Sequence, residues 1–500
     1  GGGIAGATAA LTAAERGAKV ALVCAGPVFS GSSFFAGTWG LGLVGPVSGR
    51  SADFEQTILE VGQGVADPAL VHELVSKTEP AIEWLESRGC ALRRAERAAQ
   101  REFIPCFDHA QRNWHGLERA SFRAAFGPAL ERAGVTVFPY MELMAPGVLY
   151  ARDKKHLCSI DASATVLATG GFGGLFERTL TMPDGLGTAQ AVALEQGAQL
   201  VNCEFMQIMP GLVAPVSNVV FNEKTFRFAR IEGFGGAQGL LDARSEHGPF
   251  TASRPDRKVD FAIAAAGDGG ARVTYDLPEE LPEFMKTFSD WLLEAHGIRS
   301  GDELRVAHYA HAHNGGILIG ADAAVSGVAG LYACGECTGG MHGADRIGGL
   351  ASANALVFGR IAGREAAGFQ GKKGMRATRL DAVASPLASQ TIAELKPLMS
   401  RHCMVARTED GLAQAAEMVS ELKRRLEHDA EPSVDARAIA ATRRAELSLL
   451  SARALICAMR ARTESRGSHH RADFPGKDPA QARPTSVFLA DGEPIARPLA

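Results

Sequence analysis

Apolar residues recur at helical spacing through the alanine-rich stretch Ile4 to Arg16 and then condense into the short run Ala18 to Val23, so the chain opens as a helix leading into a strand. The spacing predicts further helices over about 52 to 63, 67 to 89 and 117 to 133, followed by a strand from Val135 to Phe138. Gly147 to Tyr150, His156 to Asp161 and Thr165 to Ala168 read as a small meander whose first turn is Asp153, Lys154 and Lys155. A helix over 188 to 198 comes next, and between 212 and 306 the strand and helix alternation is lost, as expected of an inserted domain. It resumes with the apolar strand Leu331 to Ala333 and a helix from Ala353 to Ala362. The stretches 385 to 428 and 436 to 463 predict charged helices separated by Ala430, Glu431, Pro432 and Ser433. Leu447, Leu450, Ala454 and Cys457 mark one apolar face, so this end reads as a helical domain packed on the rest. The proline-rich tail from Pro475 to Ala500 reads as extended.

Three strand and helix junctions are glycine turns. Gly1, Gly3 and Gly6 fit GxGxxG and run directly into the first helix. Ala168, Thr169, Gly170 and Gly171 follow the strand that ends at Leu167, and Gly335 with Glu336 follows Leu331 to Ala333. Glycine lets the backbone come close to a ligand, and a helix N-terminus presents amides and a positive dipole end to it. Glu336 stands where a carboxylate can accept hydrogen bonds from ligand hydroxyls. A lone GxGxxG is a weak signal, but three glycine turns, two of them with helices attached, describe a cofactor cradle. The glycine-rich loop Ser30 to Gly45 carries Phe34, Phe35 and Trp39, aromatics that pack in a core or wall a flat ring.

A chain of 500 residues with 46% hydrophobic residues and 57 glycines has material for roughly three domains and a sizeable core. The formal charge of −4 gives no electrostatic argument for nucleic acid or an anionic membrane, and no run of eighteen apolar residues forms a transmembrane segment. Nine scattered cysteines suggest a reducing, cytoplasmic setting. Cys334 and Cys337 form the only CxxC, open to reading as a redox dithiol or half a metal site; no second CxxC or CxxH completes one, and no metal is expected. The chain begins at Gly1 without a Met or a strand ahead of the glycine turn, so residues are expected upstream.

The segment HGADRIGG at 342 to 349, with GLYACGE before it and LVFGRIAG after it, resembles the flavoprotein family of fumarate reductase, succinate dehydrogenase and L-aspartate oxidase. The resemblance continues in family order through FSGSSFFAG, LATGG, the PDG turn at 183 to 185, CEFMQ at 203 to 207, HAHNGGI at 311 to 317 and TESRGSHHRADFP at 463 to 475. It implies an α/β protein: a Rossmann-like FAD-binding domain (1 to 206 and 309 to 378), an inserted α+β capping domain (207 to 308), and a C-terminal helical domain with its tail (379 to 500). It also implies FAD as cofactor, with Gly1, Gly3 and Gly6 approaching the pyrophosphate and Ser32, Ser33, Ala36 and Gly37 lining the flavin. Ala168, Thr169, Gly170, Asp184, Glu336, Ala351 and Ser352 complete the implied cofactor-binding set. An iron–sulfur or quinone-linked electron-transfer partner is a further implication.

In such a protein a hydride passes between flavin N5 and a carbon of a small carboxylate, whose negative charge needs fixed donors. Arg346 is the candidate anchor, because a guanidinium grips a carboxylate through two bonds, although an ion pair with Asp345 would account for it structurally. His311 and His342 are candidates to donate to a carboxylate or to titrate near neutrality; His308 and His313 read as local structural residues. Several departures from the family concern the substrate. Where the family reads QFHPT, this chain has Gln207, Ile208, Met209, Pro210 and Gly211, which predicts a greasier pocket and weak activity with dicarboxylates. In the segment resembling RGEGG it reads Ile231 to Gly236, with no arginine in register for proton transfer; Arg230, with Arg227 beside it, is the candidate substitute, and a solvated face explains both equally well. Ser32 and Ser33 occupy the loop in which succinate dehydrogenases carry a flavin-linked histidine, so the FAD is expected to be noncovalent. Two functions follow: an oxidoreductase acting on a small carboxylate, or a flavin-bearing electron-transfer or accessory subunit that has lost the substrate chemistry.

Overall fold

The computed structural model describes residues 1 to 299, 301 to 371 and 377 to 499. The chain opens on the helix Ile4–Glu15, which leads into the strand Ala21–Val23. That strand pairs in parallel with Thr136–Phe138, and Thr165–Leu167 pairs in parallel with Leu331–Ala333. The long helix Leu350–Gly368 then packs on the first helix, and glycine makes the contact possible. A Cβ at Gly363 would stand 2.3 Å from the Ala9 carbonyl oxygen, and one at Gly359 2.8 Å from that of Ala5. Gly6 is tighter still, since a Cβ there would meet the Gly1 carbonyl oxygen at 1.8 Å. The two helices thus come close enough for both N-termini to open on one space.

Two expected elements differ. The meander consists of Met141–Ala145, Val148–Ala151 and His156–Ser159, joined antiparallel. Thr165–Leu167 leaves it for the strand at 331, because a fully buried Leu331, Tyr332 and Ala333 need a partner in the central layer. The helix read as starting at Ala353 begins at Leu350, directly after Gly349 in the left-handed region at φ 84°.

The stretch after 206 does form an insertion with its own sheet. Its strands run in the order Val219–Val220, Met206–Ala214, Leu304–His313, Ala271–Tyr275, Ala229–Ile231, all pairs antiparallel. The long strands at 206 and 304 are its entry and exit, paired so that Met206 lies opposite His313 and Met209 opposite Tyr309. Leu212, Phe221, Phe226, Val259 and Val306 are fully buried in a separate core, each contributing roughly 1.5 to 3 kcal/mol of burial energy.

The C-terminal helices are Ala388–Cys403, Glu409–His428 and Ala436–Ala461, so the first expected helix is two, broken at 404 to 408. The tail is more than extended chain: Thr485–Ala490 and Glu493–Pro498 form a hairpin that joins the sheet of Leu200–Val201 and Gly316–Leu318. Buried charges fasten this end. Arg462 Nε donates to Glu204 at 2.6 Å and its Nη1 to Glu464 at 2.9 Å, and Arg466 pairs with Glu464 at 2.7 Å. Among the described residues no helix is long and apolar enough to cross a membrane.

Candidate functional site

One cavity of about 1270 Å³ runs from the glycine turns to the face of the insertion. At one end its wall is Gly1, Gly3 and Gly6, Ser32 and Ser33, Ala168, Thr169 and Gly170, with Asp184, Glu336, Ala351 and Ser352 alongside. In the first helix the Ile4 amide donates to Ser33 Oγ at 3.4 Å and the N-cap residue supplies no side chain, and Leu350–Gly368 has no side-chain cap. The first-turn amides that a helix leaves unpaired therefore face the cavity with the positive end of the dipole, and such ends favour anions such as phosphate. Gly1 has no room for a side chain, since a Cβ would stand 2.0 Å from the Ala168 carbonyl oxygen. Gly3 differs, meeting nothing nearer than Ser33 Oγ at 3.4 Å. The glycine turns therefore serve packing at positions 1 and 6 and leave access at position 3.

Glu336 accepts from the His313 backbone amide at 3.2 Å, and a Cβ on Gly171 would lie 2.5 Å from its Oε1. Burial pushes its carboxyl up, against the backbone amides and Arg346, which lower it. Cys334 and Cys337, on either side, are buried free thiols whose pKa values burial drives well up, so neither supplies a ready thiolate.

At the other end stands Arg346. Its Nε and Nη2 donate to Gln207 Oε1 at 3.0 and 2.6 Å, and Nη1 reaches the Ile347 carbonyl at 3.3 Å. Asp345 is turned away, accepting from Thr251 Oγ1 and Gln63 Nε2, both at 2.8 Å. No ion pair between Arg346 and a carboxylate is found among the described residues. Burial lowers its pKa to about 10, with Glu336 and Cys106 acting in the opposite direction, so it stays charged at neutral pH. A buried cation without a contacting carboxylate is costly unless an anion joins it.

Buried polar atoms without partners occur on this side of the protein; of their residues His311 lines the cavity beside Arg346, while Gln207, His342 and Asn354 lie off its wall. Gln207 Nε2, His311 Nδ1, His342 Nδ1 and Asn354 Oδ1 are all buried and unpaired within the protein. Such atoms are uncommon in a settled core and fit a site that binds a polar ligand. Burial, reinforced by Arg346, lowers His311 to about 3 and His342 well below the usual histidine range. Both imidazoles are therefore neutral at physiological pH, donors or acceptors rather than groups that titrate near neutrality.

Several expected residues lie elsewhere. Arg230 is off the cavity wall: its side chain is 75% exposed and pairs with Asp276 at 2.6 Å, as suits an edge strand facing solvent. Arg227 is spent on Glu102 at 3.0 Å. Ala36 is exposed, and Gly37 packs against the insertion, its carbonyl accepting from the Val220 amide at 2.8 Å. His342 lies behind the wall, within 3.5 Å of Asn354. His308 and His313 have local partners, Asp260 at 3.1 Å and the Gly315 carbonyl at 2.8 Å.

Conversely, Cys106, Glu223 and Lys224 line the cavity although no motif pointed to them. Cys106 Sγ donates to Glu223 Oε1 at 2.8 Å, and burial plus that carboxylate push the thiol up to about 12. The only sequence signal was a charged pair set between Phe221 and Phe226, in a segment otherwise fit for a core. Met209 is on the wall; Gly211 is not, and a Cβ there would strike the Tyr309 ring at 2.6 Å. Tyr309, held by its hydroxyl to the Leu212 carbonyl at 2.6 Å, takes the space a threonine would need.

Residues 1–351 match the FAD binding domain family, and residues 392–495 match the fumarate reductase flavoprotein C-terminal family. The L-aspartate oxidase of Caulobacter vibrioides is 29% identical over 99% of this chain and 96% of its own; that of Mycobacterium leprae is 30% identical over 68% and 64%. The fold is shared with the Mycobacterium smegmatis Sdh1 complex in the apo form (TM-score 0.82, 23% identity, 100% of this chain and 92% of that one) and with the FrdA chain of E. coli quinol fumarate reductase (0.81, 21%, 100% and 95%). With the FAD-binding match running from the glycine turn through Arg346 and the C-terminal match covering the last helices, this chain belongs to the FAD-dependent oxidoreductase family of L-aspartate oxidase and fumarate reductase.

Proposed function

We propose that this chain oxidises or reduces a small carboxylate at FAD, the substrate being anchored by Arg346. The observation that carries the reading is the buried guanidinium on the cavity wall, fixed by Gln207, without a contacting carboxylate, with His311 and its unpaired Nδ1 on the same wall. The residues fit the cofactor: Gly1, Gly3 and Gly6 with the start of Ile4–Glu15 would hold the pyrophosphate, and Glu336, Ala351 and Ser352 would hold the rest of the nucleotide and flavin. When bound, FAD supplies a site that accepts or gives a hydride. Arg346 then neutralises and orients the substrate carboxylate, and neutral His311 hydrogen-bonds to the bound substrate without adding charge. Leu180, Met209 and Val220 form an apolar wall that keeps water from the reacting carbon. Met209 on the wall, and Gly211 off it beneath the Tyr309 ring, support the reading of an altered pocket in which the histidine and threonine of the family motif are replaced.

Body (1 to 206 and 309 to 378), cap (207 to 308) and helical domain (379 to 500) follow the division the resemblance implies. A noncovalent FAD follows from serines at 32 and 33, and a cytoplasmic setting from nine free cysteines. The name quinol fumarate reductase supports a quinone-linked partner that takes up or supplies the electrons, and an iron–sulfur partner is what the family resemblance implies.

Anaerobic titration with small carboxylates decides between an enzyme and an accessory flavin subunit. We expect bleaching of the flavin band by at least one acid, or reoxidation of the reduced protein by an unsaturated one, and release of the colour on acid precipitation. A protein that holds FAD but responds to no carboxylate in either direction would be an accessory subunit.

A further inference from the structure

One part of the cavity wall is aromatic. Trp39, Phe103 and Trp114 come from the body and Phe284 from the insertion, at the start of the helix Glu283–His296, and all four line the cavity. They meet edge to face in a chain: Trp114 to Phe103 with centroids 5.3 Å apart, Phe103 to Phe284 at 5.8 Å, and Phe284 to Trp39 at 5.6 Å. Rings in this arrangement hold one another in place and leave aromatic surface for a further ring to join.

Glycines bring this wall up to the Arg346 loop. The strand Leu41–Gly45 pairs antiparallel with Asn113–Leu117, and a Cβ on Gly42 would stand 3.2 Å from Trp114 Nε1 and 3.7 Å from the Cα of Gly349, three residues after Arg346. A Cβ on Gly116 would lie 3.1 Å from Trp114 Cη2, so the indole lies along two strand positions that have no side chain, with the Arg93 guanidinium 5.0 Å from its ring centroid. On the other side Trp39 packs against Leu180, Met209 and Val220, so apolar surface runs without a break from Met209 to the rings. The charges of this region already have protein partners. Glu102 accepts from Arg227 at 3.0 Å, Glu223 from the Cys106 thiol at 2.8 Å, Lys224 donates to the Ile104 carbonyl at 3.2 Å, and Arg93 is paired with Glu283 at 3.8 Å. What this part of the wall offers a ligand is therefore aromatic and aliphatic surface.

We propose that this recess is the subsite for a flat ring on the substrate, so that the acid is an aryl-substituted monocarboxylate with its carboxylate on Arg346 and its ring among Trp39, Phe103, Trp114 and Phe284. This rests on the carboxylate oxidoreductase reading and names its substrate class. It also gives Met209 a part to play: a flexible thioether packs well against the edge of an aromatic ring, where a histidine would present a polar group that needs a partner.

Propionate, 3-phenylpropionate and 3-cyclohexylpropionate carry the same single charge and differ in the group at the far end. Titrated into the FAD-loaded protein and followed by perturbation of the flavin absorbance, 3-phenylpropionate should bind wild type at least tenfold more tightly than propionate and at least threefold more tightly than 3-cyclohexylpropionate, which is as apolar but not flat. Phe284→Leu, which keeps an apolar side chain and removes one ring, should bring the phenyl-over-cyclohexyl ratio close to one. 3-Phenylpropionate binding wild type no more tightly than propionate, a result that needs no variant to fold, overturns the proposal. So does 3-cyclohexylpropionate binding as tightly as the phenyl acid, because the recess would then read apolar bulk alone, and so does an unchanged ratio in Phe284→Leu. Each of these leaves the anchor role of Arg346 standing, whereas uncharged 3-phenylpropanamide binding as tightly as 3-phenylpropionate would sink that role and not this one.

Discussion

At the scale of single residues, Arg346 explains most of what the cavity can do. Its two bonds to Gln207 Oε1 fix the guanidinium plane, and the donors that remain are the ones a planar carboxylate can use. Lysine at this position would keep the charge and lose both the plane and the hold on Gln207. We therefore expect Arg346→Lys to retain FAD and fold while kcat/KM for the reducing acid falls by roughly two to three orders of magnitude, about 3 to 4 kcal/mol of lost transition-state binding. Stopped-flow reduction of the two proteins, matched for flavin content, makes the comparison; a loss below tenfold would mean that the carboxylate is held elsewhere. Arginine in a loop after HGAD was legible from sequence because the chemistry demands that residue type. Arg230 was not separable from a solvated arginine by sequence alone, since exposure and the ion pair with Asp276 depend on which edge of the sheet its strand occupies. Lys224 and Cys106 were invisible for the complementary reason: their place on the wall comes from contacts between segments more than a hundred positions apart, such as Lys224 to Ile104.

At the scale of elements, the cradle depends on how closely two helices approach. The Ala9 carbonyl oxygen would sit 2.3 Å from a Cβ at Gly363, and both groups are backbone-anchored, so a methyl there must push Leu350–Gly368 away from Ile4–Glu15. Gly363→Ala should cost about 1 to 3 kcal/mol of stability despite alanine's better helix propensity, and should loosen FAD because both N-termini are displaced. Thermal unfolding read by circular dichroism, together with flavin retention through gel filtration, tests this; an unchanged or raised Tm would show that the helices can accommodate the methyl. Helices and glycine turns were the readable elements, because period and turn residues are local properties. Strand partnership was not: Thr165–Leu167 reads equally well as the last strand of a meander and as the neighbour of Leu331–Ala333, and only burial of the second strand decides. The C-terminal hairpin escaped for a similar reason, its prolines 494 and 498 lying on the outer strand where no ladder amide is required.

At the scale of the whole molecule, body, insertion and C-terminal segment meet around buried ionisable groups, and this sets how the protein responds to acid. Burial lowers His311 to about 3 and His313 to about 4, and holds His342 and His469 well below the histidine range, with Arg346 adding to the effect at 311 and 342 and Arg407 at 313 and 469. Each is neutral when folded and protonated in the unfolded chain below about pH 6.5, so the stability it contributes is present above that pH and lost as pH falls toward the folded value. Asp345 acts in the other sense. Burial raises it to about 7 against the hydrogen bonds from Thr251 and Gln63, so its contribution is complete below the ordinary carboxylate range and declines as pH rises through about 7. Between pH 5 and 6 these histidines take up protons on unfolding, whereas Asp345 and Glu336, both raised by burial, act in the opposite sense, and the histidines are the more numerous. We expect Tm to fall steeply from pH 6.5 to 5 and to change little from 7 to 8. In Asp345→Asn the opposing contribution of that carboxyl is gone, so the acid limb should steepen, which differential scanning fluorimetry across a pH series would resolve. A profile level down to pH 5 would mean that water reaches these histidines in the folded protein and that the segments around them are less tightly closed than their burial indicates.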